Sequence, residues 1–224
     1  MHGPADHRLH RQTLPVQLLH RQKGGQINAL RITAGTLRGR RIPVPPHDVR
    51  PTSERARQAF FNIVGPRIQG AHFLDLFAGS GVFSFEAVSR GAADATAIDS
   101  SKKNVAAIQK VAKEWNVPVK GIVADVLKEV ASGQWPVAGE VKLATGHWPP
   151  ATIVYADPPY DFAQYDALLD VIDRLPLEKD AIIAIEHRRK TNLASETNHL
   201  RFLRRAEYGE VWISMYARKE SEWN

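Results

Sequence analysis

The sequence predicts an α/β fold: a mostly parallel sheet covered by helices on both faces, with a small hairpin-helix extension in front. Three observations carry this. After Gly70, short apolar runs alternate with helix-length amphipathic stretches, a pattern that a parallel sheet with crossover helices satisfies. A glycine turn, Gly79-Ser80-Gly81, joins the first of those runs to the first helix. The chain has 224 residues, enough for one large domain, and no apolar stretch approaches the ~20 residues that a membrane span needs.

The elements follow in order. Residues 1–28 lack an apolar period and read as a flexible basic extension; their four histidines (His2, His7, His10, His20) lack metal-ligand spacing, and the segment is too polar for a signal peptide. Leu30–Ala34 and Arg40–Val44 read as a hairpin around Gly35 and Gly39. A helix then starts near Thr52 or Ser53, either of which can cap it. Its face is Ala56, Phe60, Ile63 and Val64, and it stops at Gly65-Pro66. Residues 29–66 thus form a front unit and 67–224 the sheet domain.

Within the latter, strands are expected at Phe73–Phe77, Ala95–Ile98, Gly121–Ala124, Ile153–Ala156 and Ala181–Ile185. Helices are expected at Val82–Ser89, Lys102–Glu114, Val126–Ala131 and Ala163–Arg174, and a closing antiparallel pair at Arg201–Tyr208 and Val211–Ala217. Residues 132–151, rich in Gly and Pro, read as a long loop.

The net charge of +6 is unevenly placed. Residues 1–50 carry nine Lys/Arg against two acids, whereas the remainder is near neutral. A basic front end suits a polyanion, most simply nucleic acid. The absence of cysteine excludes disulfides and thiolate metal sites and fits a reducing, cytoplasmic setting. No metal is required by the chemistry below.

In an open α/β sheet, ligands sit beyond the carboxyl ends of the strands. The first strand ends in Asp75-Leu76-Phe77-Ala78-Gly79-Ser80-Gly81. It is not a phosphate-binding Walker loop, because no Gly-Lys-Ser/Thr follows, and Ser84 holds the place of a dinucleotide fingerprint's third glycine. An acid in the turn repels pyrophosphate and suits a cation such as the sulfonium amino acid of S-adenosylmethionine. Asp99, followed by Ser100, closes the second strand, where an acid accepts from ribose hydroxyls. Asp125, followed by Val126, closes the third, within reach of an adenine amino group. Each acid taken alone is equally a helix N-cap.

Asp157-Pro158-Pro159-Tyr160 follows the fourth strand. Proline fixes φ and carries no N–H, so this corner is stiff and shows acceptors. The Asp157 carboxylate and the Pro158 carbonyl can accept both N–H bonds of a base amino group, and Tyr160 can stack on the base. Together the motifs point to methyl transfer onto the amino nitrogen of a nucleobase. Arg38, Arg40, Arg41, Arg50, Arg55 and Arg57 are the candidate phosphate contacts, although each alone also fits a solvated face.

Arg31-Ile32-Thr33-Ala34-Gly35, Arg38-Gly39-Arg40, Arg50-Pro51-Thr52-Ser53-Glu54-Arg55, Asp75 to Gly81 and Asp157 to Tyr160 stand in the order seen in bacterial 16S ribosomal RNA guanine-N2 methyltransferases. The chain resembles that family over roughly residues 30–218. The resemblance implies a class I methyltransferase fold, Rossmann-like with a seven-stranded sheet, and S-adenosylmethionine as donor. It further implies a guanine of 16S RNA in the small subunit or its assembly intermediate as target, a monomer, and a front hairpin and helix that bind RNA. Glu186-His187 matches an acid-His pair of the family, without an assigned role. The chain departs from the family in residues 1–28, in the length of the 132–151 loop, and in Val111, where relatives often carry Asn. The Asp-Pro-Pro-Tyr motif is shared with DNA adenine-N6 methyltransferases, which remain the alternative.

Overall fold

The computed structural model describes residues 28–44, 54–130 and 149–222. Thr52, Ser53 and Arg50, the extension before Asn28 and most of the 132–151 loop lie outside them. Strands β1 (Asn28–Arg31) and β2 (Arg41–Val44) form the front hairpin, followed by α1 (Glu54–Val64). The sheet domain then runs β3 (His72–Leu76), α2 (Val82–Ser89), β4 (Asp94–Asp99), α3 (Lys102–Trp115) and β5 (Val119–Val123). It continues with β6 (Ala151–Ala156), α4 (Tyr165–Asp173), β7 (Leu177–Arg188), β8 (Leu200–Tyr208) and β9 (Val211–Arg218).

The seven strands lie in the order β5-β4-β3-β6-β7-β9-β8, with β9 the antiparallel member between β7 and β8. Strand order reverses between β3 and β6, which places the ligand crevice beside their carboxyl ends. Alternation along each strand fills two cores. Phe73, Ile153, Tyr155, Ile182 and Ala184 face the α1, α2 and α3 side. Leu74, Val154, Ala156, Ile183 and Ile185 face the α4 side.

Helix α1 is pinned by rings. Phe60 lies 4.8 Å from Tyr155 and 5.8 Å from Phe83, and Phe83 stacks on Tyr155 at 3.9 Å. Ile32, Leu37 and Ile42 of the hairpin join the same core, so the front unit and the sheet share one interior. Helix α3 starts at Ser101, whose side chain accepts from the Asn104 amide, and stops at Asn116 in the left-handed region.

The hairpin strand is shorter than expected and ends at Arg31. The reason is visible in its partners: the Thr33 and Ala34 amides donate to the Glu86 carboxylate of α2 at 2.8 and 3.1 Å, not to β2. Gly35 is obligatory there, because a Cβ would lie 1.7 Å from the Ser89 carbonyl oxygen. Strand β7 is longer than expected, since antiparallel pairing with β9 extends to Arg188.

Candidate active site

The crevice is built from the ends of β3, β4, β5 and β6. Strands β3 and β6 pair in register, Leu76 opposite Ala156, and the Asp157 amide donates to the Leu76 carbonyl at 3.3 Å. That bond ties the proline corner directly to the strand that feeds the glycine turn. Ala78 in turn donates to the Ile98 carbonyl at 2.8 Å, which ties the turn to β4.

Phe77 opens the turn at φ 64, an uncommon conformation for a ring-bearing residue, and its ring meets Phe162 edge-on at 5.6 Å. Gly79 (φ 53) has nothing within 4 Å of where a Cβ would point, so its face is open to the crevice. Gly81 (φ 74) faces inward instead, where a Cβ would lie 2.8 Å from Ile108 Cγ1. One glycine therefore serves the ligand side and the other serves packing. Ala78 packs against the core, and Ser80 is half-buried beside it.

Asp75 is buried. Its Oδ2 accepts from the Ser84 amide at 3.2 Å and the Ser84 hydroxyl at 2.7 Å. Burial pushes its carboxyl up to about 7; the two Ser84 bonds oppose this, and the nearby Asp157 and Asp99 charges add to it. Ser84, at the missing third glycine, thus makes a bond that glycine's absent side chain could not.

Asp99 is half-buried and accepts three hydrogen bonds, which leaves a lone pair on Oδ2. Gly79 donates to Oδ2 at 2.8 Å, while the Ser101 amide (2.8 Å) and Asn104 Nδ2 (3.2 Å) donate to Oδ1. It holds the glycine turn against the tip of β4. Ser100 is exposed next to it. Asp125 caps a single π-helical turn, Val126–Val130, by accepting from the Leu127 and Lys128 amides at 3.0 and 3.2 Å. Val126 is buried in the α4-side core, so its side chain packs and only its backbone is available to a ligand.

On the corner itself, Asp157 is half-buried, Pro158 buried and Pro159 exposed. Tyr160 is 67% exposed, with the Arg188 guanidinium lying over its ring at 2.8 Å. Under the corner, the Tyr155 hydroxyl donates to Glu186 Oε2 at 2.5 Å; burial, then the Glu186 charge, holds the phenol neutral. His187 donates from Nδ1 to the Arg188 carbonyl (2.9 Å), since a carbonyl only accepts, so Nε2 accepts from the Ser214 hydroxyl at 2.8 Å. Burial lowers its pKa, as does Arg205. The acid-His pair is therefore a bracing element of β7.

The arginines divide. Arg57 leaves the set of phosphate contacts: it is buried, donates to the Arg31 carbonyl at 2.7 Å and lies 3.6 Å from Glu86. An arginine on a helix with strong apolar periodicity gives no sign in the sequence that it turns inward to balance Glu86. Arg38, Arg40 and Arg41 are exposed, but the hairpin tip docks on Ser89 and Arg90, at the end of α2 away from the crevice. Eight residues of helix, about 12 Å at ~1.5 Å rise, separate that end from the glycine turn. Arg40 lies over the Trp115 ring at 5.2 Å, likewise at the far end of α3. Arg55 is exposed in the first turn of α1. Sequence reasoning named Ser84 only as a missing glycine and passed over Asn104, Phe162 and Arg188. The run Arg188-Arg189-Lys190 directly after a buried strand was the available signal for the last.

Among the described residues no helix is long and apolar enough to cross a membrane, and no cluster of three His, Asp or Glu could hold a metal ion.

Known proteins share this arrangement. The family model described as conserved hypothetical protein 95 matches residues 30–217. Ribosomal RNA small subunit methyltransferase D of Escherichia coli is 31% identical over 192 residues, 85% of this chain and 90% of the relative. YlbH of Bacillus subtilis is 30% identical over 192 residues, 85% of this chain and all of the relative. The solved structure of the E. coli protein yhhF superposes with a TM-score of 0.70 at 27% identity, covering 85% of this chain and 98% of that one. Fold, crevice and these matches together show that the chain belongs to the conserved hypothetical protein 95 family of small-subunit ribosomal RNA methyltransferases, with the class I methyltransferase fold.

Proposed function

We propose that this protein methylates the exocyclic N2 of a guanine in 16S ribosomal RNA, using S-adenosylmethionine. The observation that carries the reading is the register of β3 against β6, which sets the acceptor corner beside the glycine turn. The crevice fits the donor. The open face of Gly79 admits a ligand against the backbone, buried Asp75 offers negative charge to a cation, and Asp99 stands where ribose hydroxyls would meet it.

When bound, S-adenosylmethionine supplies an electrophilic methyl carbon on a sulfonium centre. Asp157 and the Pro158 carbonyl accept the two N–H bonds of the base, which favours a pyramidal nitrogen with its lone pair turned toward that carbon. Asp157 would be the adjacent acceptor for the proton the nitrogen sheds when the methyl passes to it and the sulfonium leaves as a neutral thioether. The exposed Tyr160 ring stacks on the base, worth roughly 1–3 kcal/mol. Phe77 and Phe162, in contact between the glycine turn and the proline corner, supply apolar surface beside the base. Alignment supplies most of the acceleration, since orientation alone can remove ~7–11 kcal/mol of a barrier. In a paired region the base must first leave the stack. Family membership favours RNA over the DNA adenine alternative.

The test incubates the protein with labelled S-adenosylmethionine and small ribosomal subunits lacking the modification, and maps the label by mass spectrometry. Label is expected on one guanine N2 of 16S RNA. Asp157→Ala should abolish transfer while leaving donor affinity, measured by calorimetry, within about threefold, because the residue acts on the base. Absence of label from 16S RNA under conditions where the donor binds would reject the target.

A further inference from the structure

The hairpin tip that carries Arg38, Arg40 and Arg41 docks at the far end of α2, so the positive charge at the reacting edge comes from elsewhere. Arg188, Arg189 and Lys190 are all exposed; Arg188 ends β7 and the other two follow it directly. Their backbone is held in a turn: Thr191 donates to the Arg188 carbonyl at 3.0 Å, and Arg189 donates to the Glu210 carbonyl at 3.2 Å. Two strands across, Arg205 lies over the Trp212 ring at 4.0 Å.

Rings lie between these cations. Arg188 covers Tyr160; Tyr165 meets His187 edge-on at 6.3 Å; His187 meets Trp212 at 6.2 Å. The register puts His187 opposite Trp212, and Arg205 opposite Ser214 on the same face of the sheet. From β6 through β7 and β9 to β8 this spans about 14 Å at the usual strand spacing. The acids nearby are Glu207, 3.4 Å from Arg205 in an exposed pair, Glu210 in the turn that follows, and, beside Tyr160, half-buried Asp157 and exposed Asp161. Cations set among aromatic rings match single-stranded RNA, whose phosphates and base faces need both.

We propose that the β7–β9–β8 end of the sheet, presenting Arg188, Arg189, Lys190 and Arg205 with Trp212, is a second RNA-binding surface that holds the nucleotides flanking the target base. It rests on the methyl-transfer reading only for which RNA it serves. Arg188 exchanges its place over Tyr160 for a phosphate when the base stacks there, which uncovers the ring.

The test is the triple variant Arg189→Gln, Lys190→Gln, Arg205→Gln, all at exposed positions, with Lys190→Glu alone as a second variant. The probe is a labelled single-stranded, guanine-containing RNA oligonucleotide, titrated at several salt concentrations. Loss of three phosphate contacts should lower the slope of log affinity against log salt by about 2. The affinity ratio between about 50 and 200 mM salt should then shrink about 16-fold, as a fourfold salt change raised to that slope. Lys190→Glu should lower the affinity as well, and donor affinity should not change in either variant. An unaltered slope and affinity in a folded triple variant overturn the surface. So does normal RNA binding with activity lost only on intact subunits, which would assign this face to a ribosomal protein. Failure of wild type to label 16S RNA would reject the methylation reading and leave this RNA measurement standing.

Discussion

Replacing Asp75 with asparagine isolates the sharpest pH dependence in the molecule. The Asp75 carboxyl ionises near 3.8 in an unfolded chain and at about 7 in the folded protein, because burial penalises the charge. Between those values the folded state holds a proton that the unfolded state has released. Stability from this group is therefore complete below about pH 4 and declines as pH rises to about 7. A shift of about three units corresponds to about 4 kcal/mol. Asp75→Asn keeps an oxygen for the two Ser84 donors and removes the titration, so it should gain up to about 4 kcal/mol over wild type at pH ~8 and much less at pH ~4. The same charge draws the donor's cation. If only the carboxylate form binds, the apparent affinity scales with its population and falls about 100-fold between roughly pH 8 and pH 5. Calorimetry across that range, paired with urea denaturation, measures both. The Asn variant should bind weakly at the alkaline end, with a flatter profile. A wild-type affinity with the same pH dependence as Asp75→Asn would refute the role of Asp75.

The two turn glycines should separate function from packing. Gly79→Ala should cost about 1 kcal/mol of stability, from its left-handed backbone alone, yet lower donor affinity at least about tenfold, because the new methyl points into the crevice. Gly81→Ala adds a contact with Ile108, worth about 1–3 kcal/mol of overpacking, and should show mainly as a lowered melting temperature. Glu86→Ala strips the counter-charge from buried Arg57 and the acceptor from Thr33 and Ala34; a loss of about 3–5 kcal/mol in urea denaturation is expected, with hydrogen exchange accelerated first at residues 32–37. A Glu86→Ala loss below about 1 kcal/mol would show that the buried pair does not hold the hairpin.

Much of this was legible in the residues. Apolar alternation pointed to the parallel strands, because β3, β6 and β7 are covered on both faces and read as continuous apolar runs. The glycine turn and the Asp157–Tyr160 corner were legible because both need special backbone geometry that few residue types supply. Element ends were less so. Strand β1 stops where the chain turns its amides to Glu86, 53 positions beyond Thr33, and β7 runs on to Arg188 because β9 pairs with it. Neither partner is visible from a local window.

The chain by itself determined the order of strands and helices, the glycine turn, and the chemical types gathered at strand tips, since periodicity and backbone restriction are local properties. Only the tertiary structure decided which charges face the crevice. Arg57 reads as a phosphate contact and is buried against Glu86; Arg38 and Arg40 read as phosphate contacts on a hairpin whose tip docks at the far end of α2; Arg188 meets the Tyr160 ring and Arg205 the Trp212 ring on strands brought together only once the sheet is assembled. A charge's neighbours are set by packing between distant segments, and sequence spacing carries no record of that.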